Sequence, residues 1–258
     1  MDYIAKSELR EAWLGAMQAE LGGHEKSGTF STGPVPEGVN VISAKWVFSW
    51  KTDADGTITK AKAGLAARGF RQRVAFDCFE TFAATPSMAS IKLVVAVVVQ
   101  EEWPLYHFDV TQAFVQAEID TDEYMRLPEG CSVLTDVIVK LEKSFYGIKQ
   151  AGRQWSRLLC QTFLEDVRMV QCEADPCVFR MEDAGDVRVI LVVHVDDILI
   201  SGSEEYVGKV GQILNKTFPT NNLGGVTWYM GCAVDRDWDR GTLSVTQNHV
   251  HGHAPEAF

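Results

Sequence analysis

The spacing of apolar and polar residues changes period several times along the chain, and each change predicts a different element. Leu9, Trp13, Ala16, Met17 and Leu21 recur near helical spacing, so residues 7 to 21 read as an amphipathic helix with Ser7 as N-cap and Gly22 and Gly23 as its stop. Residues 39 to 51 and 57 to 70 read as the two arms of a hairpin, joined through Asp55 and Gly56, a strong turn signal. Residues 87 to 100 are rich in β-branched side chains, which favours a strand. Yet Ile91, Val94, Val95 and Val98 keep helical spacing after Pro86, and a run of about 14 residues exceeds a usual strand, so a buried helix is expected. A clearer helix follows at 150 to 167, with Trp155, Leu158, Leu159 and Phe163 on one face. Residues 179 to 200 supply strands, and the stretch from Asn222 to Gly231 leads into a last hairpin pivoting at Asp239 to Gly241. Helices and strands in this order predict an α+β fold with a mostly antiparallel sheet and flanking helices.

One run breaks the pattern. Val189 to Ile200 is apolar enough for a buried strand but holds two adjacent carboxylates, Asp196 and Asp197. A continuous strand would turn one of them into the core, at high cost unless it were paired. A hairpin resolves this: 187 to 194 out, 195 to 197 as the turn and 198 to 201 back, closed by Gly202 and Ser203, with both carboxylates at the tip. Alone, such a pair is more often a plain polar turn. The anomaly recurs, however, in the stretch Leu105 to Phe114, where Asp109 stands at the end of another apolar, aromatic-rich strand and an apolar helix-like segment follows. Carboxylates from two strand ends can converge on a hard divalent cation whose shell is completed by water and phosphate oxygens.

Composition narrows the class. The chain carries 24 Lys and Arg against 35 Asp and Glu, a net charge of −11, which is the wrong sign for a dedicated nucleic-acid-binding protein. The distribution matters more than the sum. Between residues 45 and 73, Lys45, Lys51, Lys60, Lys62, Arg68, Arg71 and Arg73 face only Asp53 and Asp55, and a second basic stretch holds Lys140, Lys143, Lys149, Arg153 and Arg157. Beside an acidic cation site, these clusters suit a phosphate-rich ligand better than two solvated faces. Six cysteines without a C-x-x-C pair suit reduced thiols; a zinc site from Cys172, Cys177 and His249, His251 and His253 has the wrong spacing. No apolar run approaches the ~18 residues of a membrane span. The opening lacks a signal-peptide core, so no membrane partner and a cytoplasmic or nuclear location are expected.

The ordered motifs resemble the reverse transcriptase of copia-type LTR retrotransposons, from about Trp13 to Gln247. They are Ala44 to Phe48, Asp55 to Ile58, Leu65 with Arg68 to Phe70, Glu80 to Ala83, Phe108 to Val110 with Ala113 and Phe114, Tyr124 to Met125 with Leu127, Pro128 and Gly130, Lys143 to Gln150 with Arg153 and Trp155, Asp175 to Val178, Val195 to Ile198, and Tyr229 to Gly231. Any one is weak, and their order and spacing make the set specific.

The resemblance implies a right-hand polymerase with fingers and palm, the thumb absent or truncated, that adds deoxynucleotides to a primer 3′ end on an RNA or DNA template. It divides the chain into a helical lead at 1 to 30, a fingers-like β-rich region at 31 to 86, a palm at 87 to 247 and a disordered or aberrant tail at 248 to 258. Asp109, Asp196 and Asp197 would be the catalytic, metal-binding carboxylates for two Mg²⁺ ions, with Mn²⁺ an acceptable substitute. Phe114 occupies the steric-gate position, although read alone it is a core aromatic. Gln150, Lys62 and Arg153 would meet the incoming deoxynucleoside triphosphate, and Tyr229, Met230 and Gly231 the primer, although a hairpin core explains the last three equally well. At position 64 the family's triphosphate-gripping arginine is replaced by Gly64. That substitution motivates the alternative of a catalytically inactive retroelement remnant with at most nucleic-acid binding. The oligomeric state is left open.

Overall fold

The computed structural model describes residues 9–52, 57–131 and 137–247. It is a mixed α/β structure with mostly antiparallel sheets and, among the described residues, four α-helices. The chain divides into two compact units, each discontinuous in sequence: residues 1–83 with 113–158, and residues 84–112 with 159–258. Residues 113 to 158, grouped with the palm in the sequence reading, therefore cluster with the first unit.

In the first unit, strands β1 (Phe30–Ser31), β2 (Val41–Thr52), β3 (Ile58–Ala67), β5 (Tyr124–Arg126) and β6 (Ile138–Leu141) form one sheet in the order β1-β6-β5-β2-β3. All its pairings are antiparallel except β2 with β5. The β2–β3 arms match the expected hairpin; its turn at Asp55 and Gly56 lies outside the described residues. Trp46, Phe48 and Trp50 stand opposite Leu65, Ala63 and Ala61, so large rings on one strand meet mostly small side chains on the next. Helix α1 (Arg10–Lys26) lies over this layer, with the Trp13 ring 5.2 Å from Phe48 and 4.3 Å from Trp50. The same helix covers the outer edge of β3, where Glu20 Oε1 accepts from the Leu65 N–H at 3.0 Å.

Helix α1 extends past its expected stop. It runs through Gly22 and Gly23 because the last turn is anchored by packing: His24 is fully buried, its ring 4.9 Å from Phe145. That burial outweighs the roughly 1 kcal/mol helix penalty of each glycine. The stop comes at Ser27, which bonds back to Gly23, followed by Gly28 at φ +60°, the left-handed position that suits glycine. Ser7 lies outside the described residues.

In the second unit, strands β4 (Leu105–Val110), β7 (Val170–Gln171), β8 (Val178–Asp183), β9 (Asp186–His194), β10 (Asp197–Gly202) and β11 (Thr220–Gly225) form an antiparallel sheet in the order β11-β4-β10-β9-β8-β7. A small second sheet joins β12 (Trp228–Tyr229), β13 (Cys232–Asp237) and β14 (Thr242–Thr246). Helix α2 (Met88–Gln100) is the helix expected from spacing, and Ser87 caps it by accepting from the Ser90 N–H at 3.0 Å. Its Ile91, Val94 and Val98 bury against Val178, Val192, Leu199 and Tyr229. Helix α4 (Glu204–Thr217) also packs on β9, β10 and β11, burying Val207, Val210 and Leu214. All of β10 after Asp197 is buried, which is why this run reads as continuously apolar rather than alternating. Helix α3 (Ala151–Gln161) passes into a π-helical turn at Thr162–Asp166, and the division between units falls within it, after Leu158.

Candidate active site

The hairpin that carries Asp196 and Asp197 forms as the sequence reading required, one residue tighter. His194 pairs with Asp197, leaving Val195 and Asp196 as a two-residue loop, and Asp197 begins the return strand. Val195 sits at φ +60°. A positive φ at the first loop position alone is the type II′ pattern, which matches strand twist but normally takes glycine. A β-branched residue there costs roughly 1–2 kcal/mol, and such strain collects at functional sites.

The tip is fixed from strand β4. Asp197 lies in register opposite Asp109, so both side chains share one face of the sheet, and the Asp196 carbonyl accepts from the Val110 N–H at 3.0 Å. Three carboxylate-bearing residues are thus gathered at one corner of the second unit. Neighbouring side chains hold two of them, Asp197 and Asp109. His107 Nε2 lies 2.8 Å from Asp197 Oδ1, and Asn221 Nδ2 donates to Asp109 Oδ2 at 3.4 Å while also reaching Thr111 Oγ1 at 3.1 Å. Neither His107 nor Asn221 figures in the sequence reading. His107 has a weak signal, a polar residue two places before Asp109 on an apolar strand. Asn221 has none, because only the pairing of β11 with β4 brings it opposite Asp109.

The donor set is oxygen-only, which fits Mg²⁺ or Mn²⁺ rather than zinc. Among the described residues no group of three or more His, Cys, Asp or Glu side chains is arranged as a ready-made metal cage. A cation here would draw the rest of its shell from water and substrate phosphates, the usual habit of Mg²⁺. The cysteines are all free, and the tail histidines of the zinc alternative lie outside the described residues.

Tyr229 is buried, and its ring meets the His107 ring edge-on at 5.8 Å. Burial, then the charge of Asp197, push its phenol above the usual range. Met230 and Gly231, at φ +48° and +78°, form the type I′ turn between β12 and β13 that lets Tyr229 pair with Cys232.

The remaining candidates belong to the first unit. Lys62 lies on the outer face of the β2–β3 hairpin with Lys45, Lys51 and Lys60, and Gly64 lies between Lys62 and Ala66 on that same face. Phe114 is half-buried, its ring 4.7 Å from that of Tyr146. Gln150 is buried in a network: Gln72 Nε2 donates to its Oε1 at 3.0 Å and to Glu123 Oε1 at 2.5 Å, while its own Nε2 reaches Thr121 Oγ1 at 3.0 Å. Burial raises the Glu123 carboxyl to about 7. Arg153 is ion-paired with Glu80. The loop before this network needs its glycine: at Gly147, φ +91°, an added Cβ would lie 2.2 Å from the Ala67 carbonyl oxygen.

Residues 28–251 match the family model for reverse transcriptase (RNA-dependent DNA polymerase). The chain is 32% identical over 246 residues to the retrovirus-related Pol polyprotein from transposon TNT 1-94 of Nicotiana tabacum, covering 94% of this chain and 18% of that protein. It is 34% identical over 197 residues to the corresponding polyprotein from transposon RE1 of Arabidopsis thaliana, covering 75% of this chain and 13% of that protein. It thus spans less than a fifth of the length of these relatives. No helix among the described residues is long and apolar enough to cross a membrane. The chain belongs to the reverse transcriptase domain family of copia-type Pol polyproteins.

Proposed function

We propose that the chain is an RNA-directed DNA polymerase module with fingers at residues 31 to 86 and a palm at 87 to 247. The observation that carries this reading is the in-register pairing of Asp197 with Asp109, with Asp196 anchored beside them through the Val110 N–H. Asp109 and Asp196 are the principal ligands for two Mg²⁺ ions, with Mn²⁺ able to replace them. Bound there, the ions would activate the primer 3′ hydroxyl and take up charge on the leaving pyrophosphate.

The chain's own residues do the positioning. The strained loop at Val195 fixes Asp196, and Asn221 orients Asp109. Phe114 blocks a 2′-hydroxyl and so favours deoxynucleotides. Lys62 and Arg153 meet the triphosphate, Arg153 exchanging Glu80 for phosphate. Gln150 acts from within its buried network rather than by open contact, because its amide is already bonded on both sides. Met230, 40% exposed, and Gly231 present the β12–β13 turn to the primer, while the buried Tyr229 supports that turn from beneath. The template is RNA or DNA annealed to a primer.

The test is primer extension on an RNA template with deoxynucleotides and Mg²⁺, run beside Asp196→Asn to exclude a contaminating polymerase. Extension by the wild-type chain that disappears in Asp196→Asn supports the reading. A folded chain that binds Mn²⁺ but extends nothing, even after Gly64→Arg, overturns it in favour of an inactive remnant.

A further inference from the structure

Resting on the cation site proposed above, we propose that His107 is a positioning residue that keeps Asp197 off the shared cation and ties its placement to the β12–β13 hairpin through Tyr229. Strand geometry sets up the contact. His107 lies two residues before Asp109 on β4, so both point to the same face, and Asp197 on β10 is the diagonal neighbour of His107. The imidazole is only 15% exposed on its side chain, and its Nε2 stands 2.8 Å from Asp197 Oδ1. A carboxylate accepts only, so Nε2 carries the proton and donates.

The ring has little freedom to move. Leu199, its register partner across the ladder, is buried at 2% exposure, and the Tyr229 ring closes another side edge-on at 88°. Tyr229 is in turn set by its pairing with Cys232 across the Met230–Gly231 turn. A continuous chain of contacts therefore runs from the hairpin through Tyr229 and His107 to Asp197, all within the second unit.

Side chains directly opposed on neighbouring strands have Cβ atoms about 4.5–5.5 Å apart. An unrestrained Asp197 could therefore turn onto a cation held by Asp109. Bonded to His107, it is held back, and Asp109 and Asp196 remain the working pair. Loss of the imidazole donor then has an unusual signature: cation binding tightens because a third carboxylate joins, while turnover slows because the ligand set has changed. General damage to the site would weaken both.

The experiment uses the 258-residue chain. Mn²⁺ binding is followed by the electron paramagnetic resonance of free Mn²⁺, beside primer-extension kcat, for wild type, His107→Leu, His107→Gln, Tyr229→Leu and Asp109→Asn. His107→Leu should bind Mn²⁺ roughly tenfold more tightly, the scale of one charge-assisted hydrogen bond, with a lower kcat and an unchanged nucleotide KM. His107→Gln, which keeps a side-chain N–H donor, should restore both, and Tyr229→Leu should shift both in the direction of His107→Leu by less. Equal Mn²⁺ binding by wild type and His107→Leu, with binding lost in Asp109→Asn, overturns this proposal and leaves the cation site standing. Weaker binding in His107→Leu that His107→Gln does not restore overturns it as well. No Mn²⁺ binding by the wild-type chain overturns both.

Discussion

Asp197 stands directly opposite Asp109 on adjacent strands, two carboxylates in register on one face of a sheet. Like charges in that relation destabilise a ladder by roughly 0.2–1 kcal/mol. His107 and Asn221 each lie within hydrogen-bond reach of one of them. Asp109→Asn is therefore expected to raise the unfolding free energy of the metal-free chain by about 0.5 kcal/mol. Millimolar Mg²⁺ should remove that advantage by stabilising only the wild type. Urea unfolding in EDTA and in Mg²⁺ measures both, and a variant less stable than wild type in EDTA would contradict the expectation.

Gly64 leaves room for the arginine typical of the family. A Cβ built there would meet only the Val47 carbonyl oxygen, at 3.8 Å, an ordinary contact. Gly64→Arg should thus fold normally, add a guanidinium beside Lys62, and lower the deoxynucleotide KM by about 10- to 100-fold, the equivalent of one charge-assisted phosphate contact. Steady-state primer extension checks the size, and circular dichroism checks the fold.

Glu123 makes the stability depend on pH in a direction opposite to that of most carboxylates. Burial lifts its folded-state value from 4.5 to about 7, so between those limits the folded chain holds a proton that the unfolded chain has released. Stability from this group is full below the unfolded value and declines as pH rises toward 7. Glu123→Gln keeps a side-chain oxygen for Gln72 and removes the ionisation. Its unfolding midpoint relative to wild type should rise between pH 5 and pH 8. A difference that stays flat across this range would remove Glu123 as the cause.

Two glycines should respond in opposite ways to alanine. Gly147→Ala drives a Cβ to 2.2 Å from the Ala67 carbonyl oxygen at φ +91°, and should cost about 2–3 kcal/mol through backbone displacement. Gly208 lies within α4 with nothing within 4 Å of an added Cβ, so Gly208→Ala should stabilise by roughly 0.5–1 kcal/mol. Thermal midpoints of the two variants compare them directly.

Relief of the strained hairpin loop separates stability from function. Val195→Gly suits the positive φ of the type II′ position and should hold or raise stability by up to about 1 kcal/mol. It should also lower primer-extension kcat, because the loop that fixes Asp196 becomes mobile. A loss of stability would instead mean that the Val195 side chain supports the hairpin by packing.

Much of this molecule is written in local pattern. The 3.6-residue spacing of Ile91, Val94 and Val98 behind the Ser87 cap is enough to make α2 a helix despite its β-branched residues. Two carboxylates inside an apolar run are enough to require a hairpin at Val195 and Asp196, because a strand cannot bury either one unpaired. Those decisions depend on neighbours a few residues apart, so the sequence contains them. The end of α1 is different: His24 finds Phe145 only in the folded unit, and its burial carries the helix past two glycines that mark a stop on local grounds. The donors around the carboxylates follow the same logic. His107 and Asn221 lie 90 and 112 residues from the aspartates they hold. Register across β4, β10 and β11 is set where the strands pair in the folded unit, and it alone decides which polar side chain meets which carboxylate.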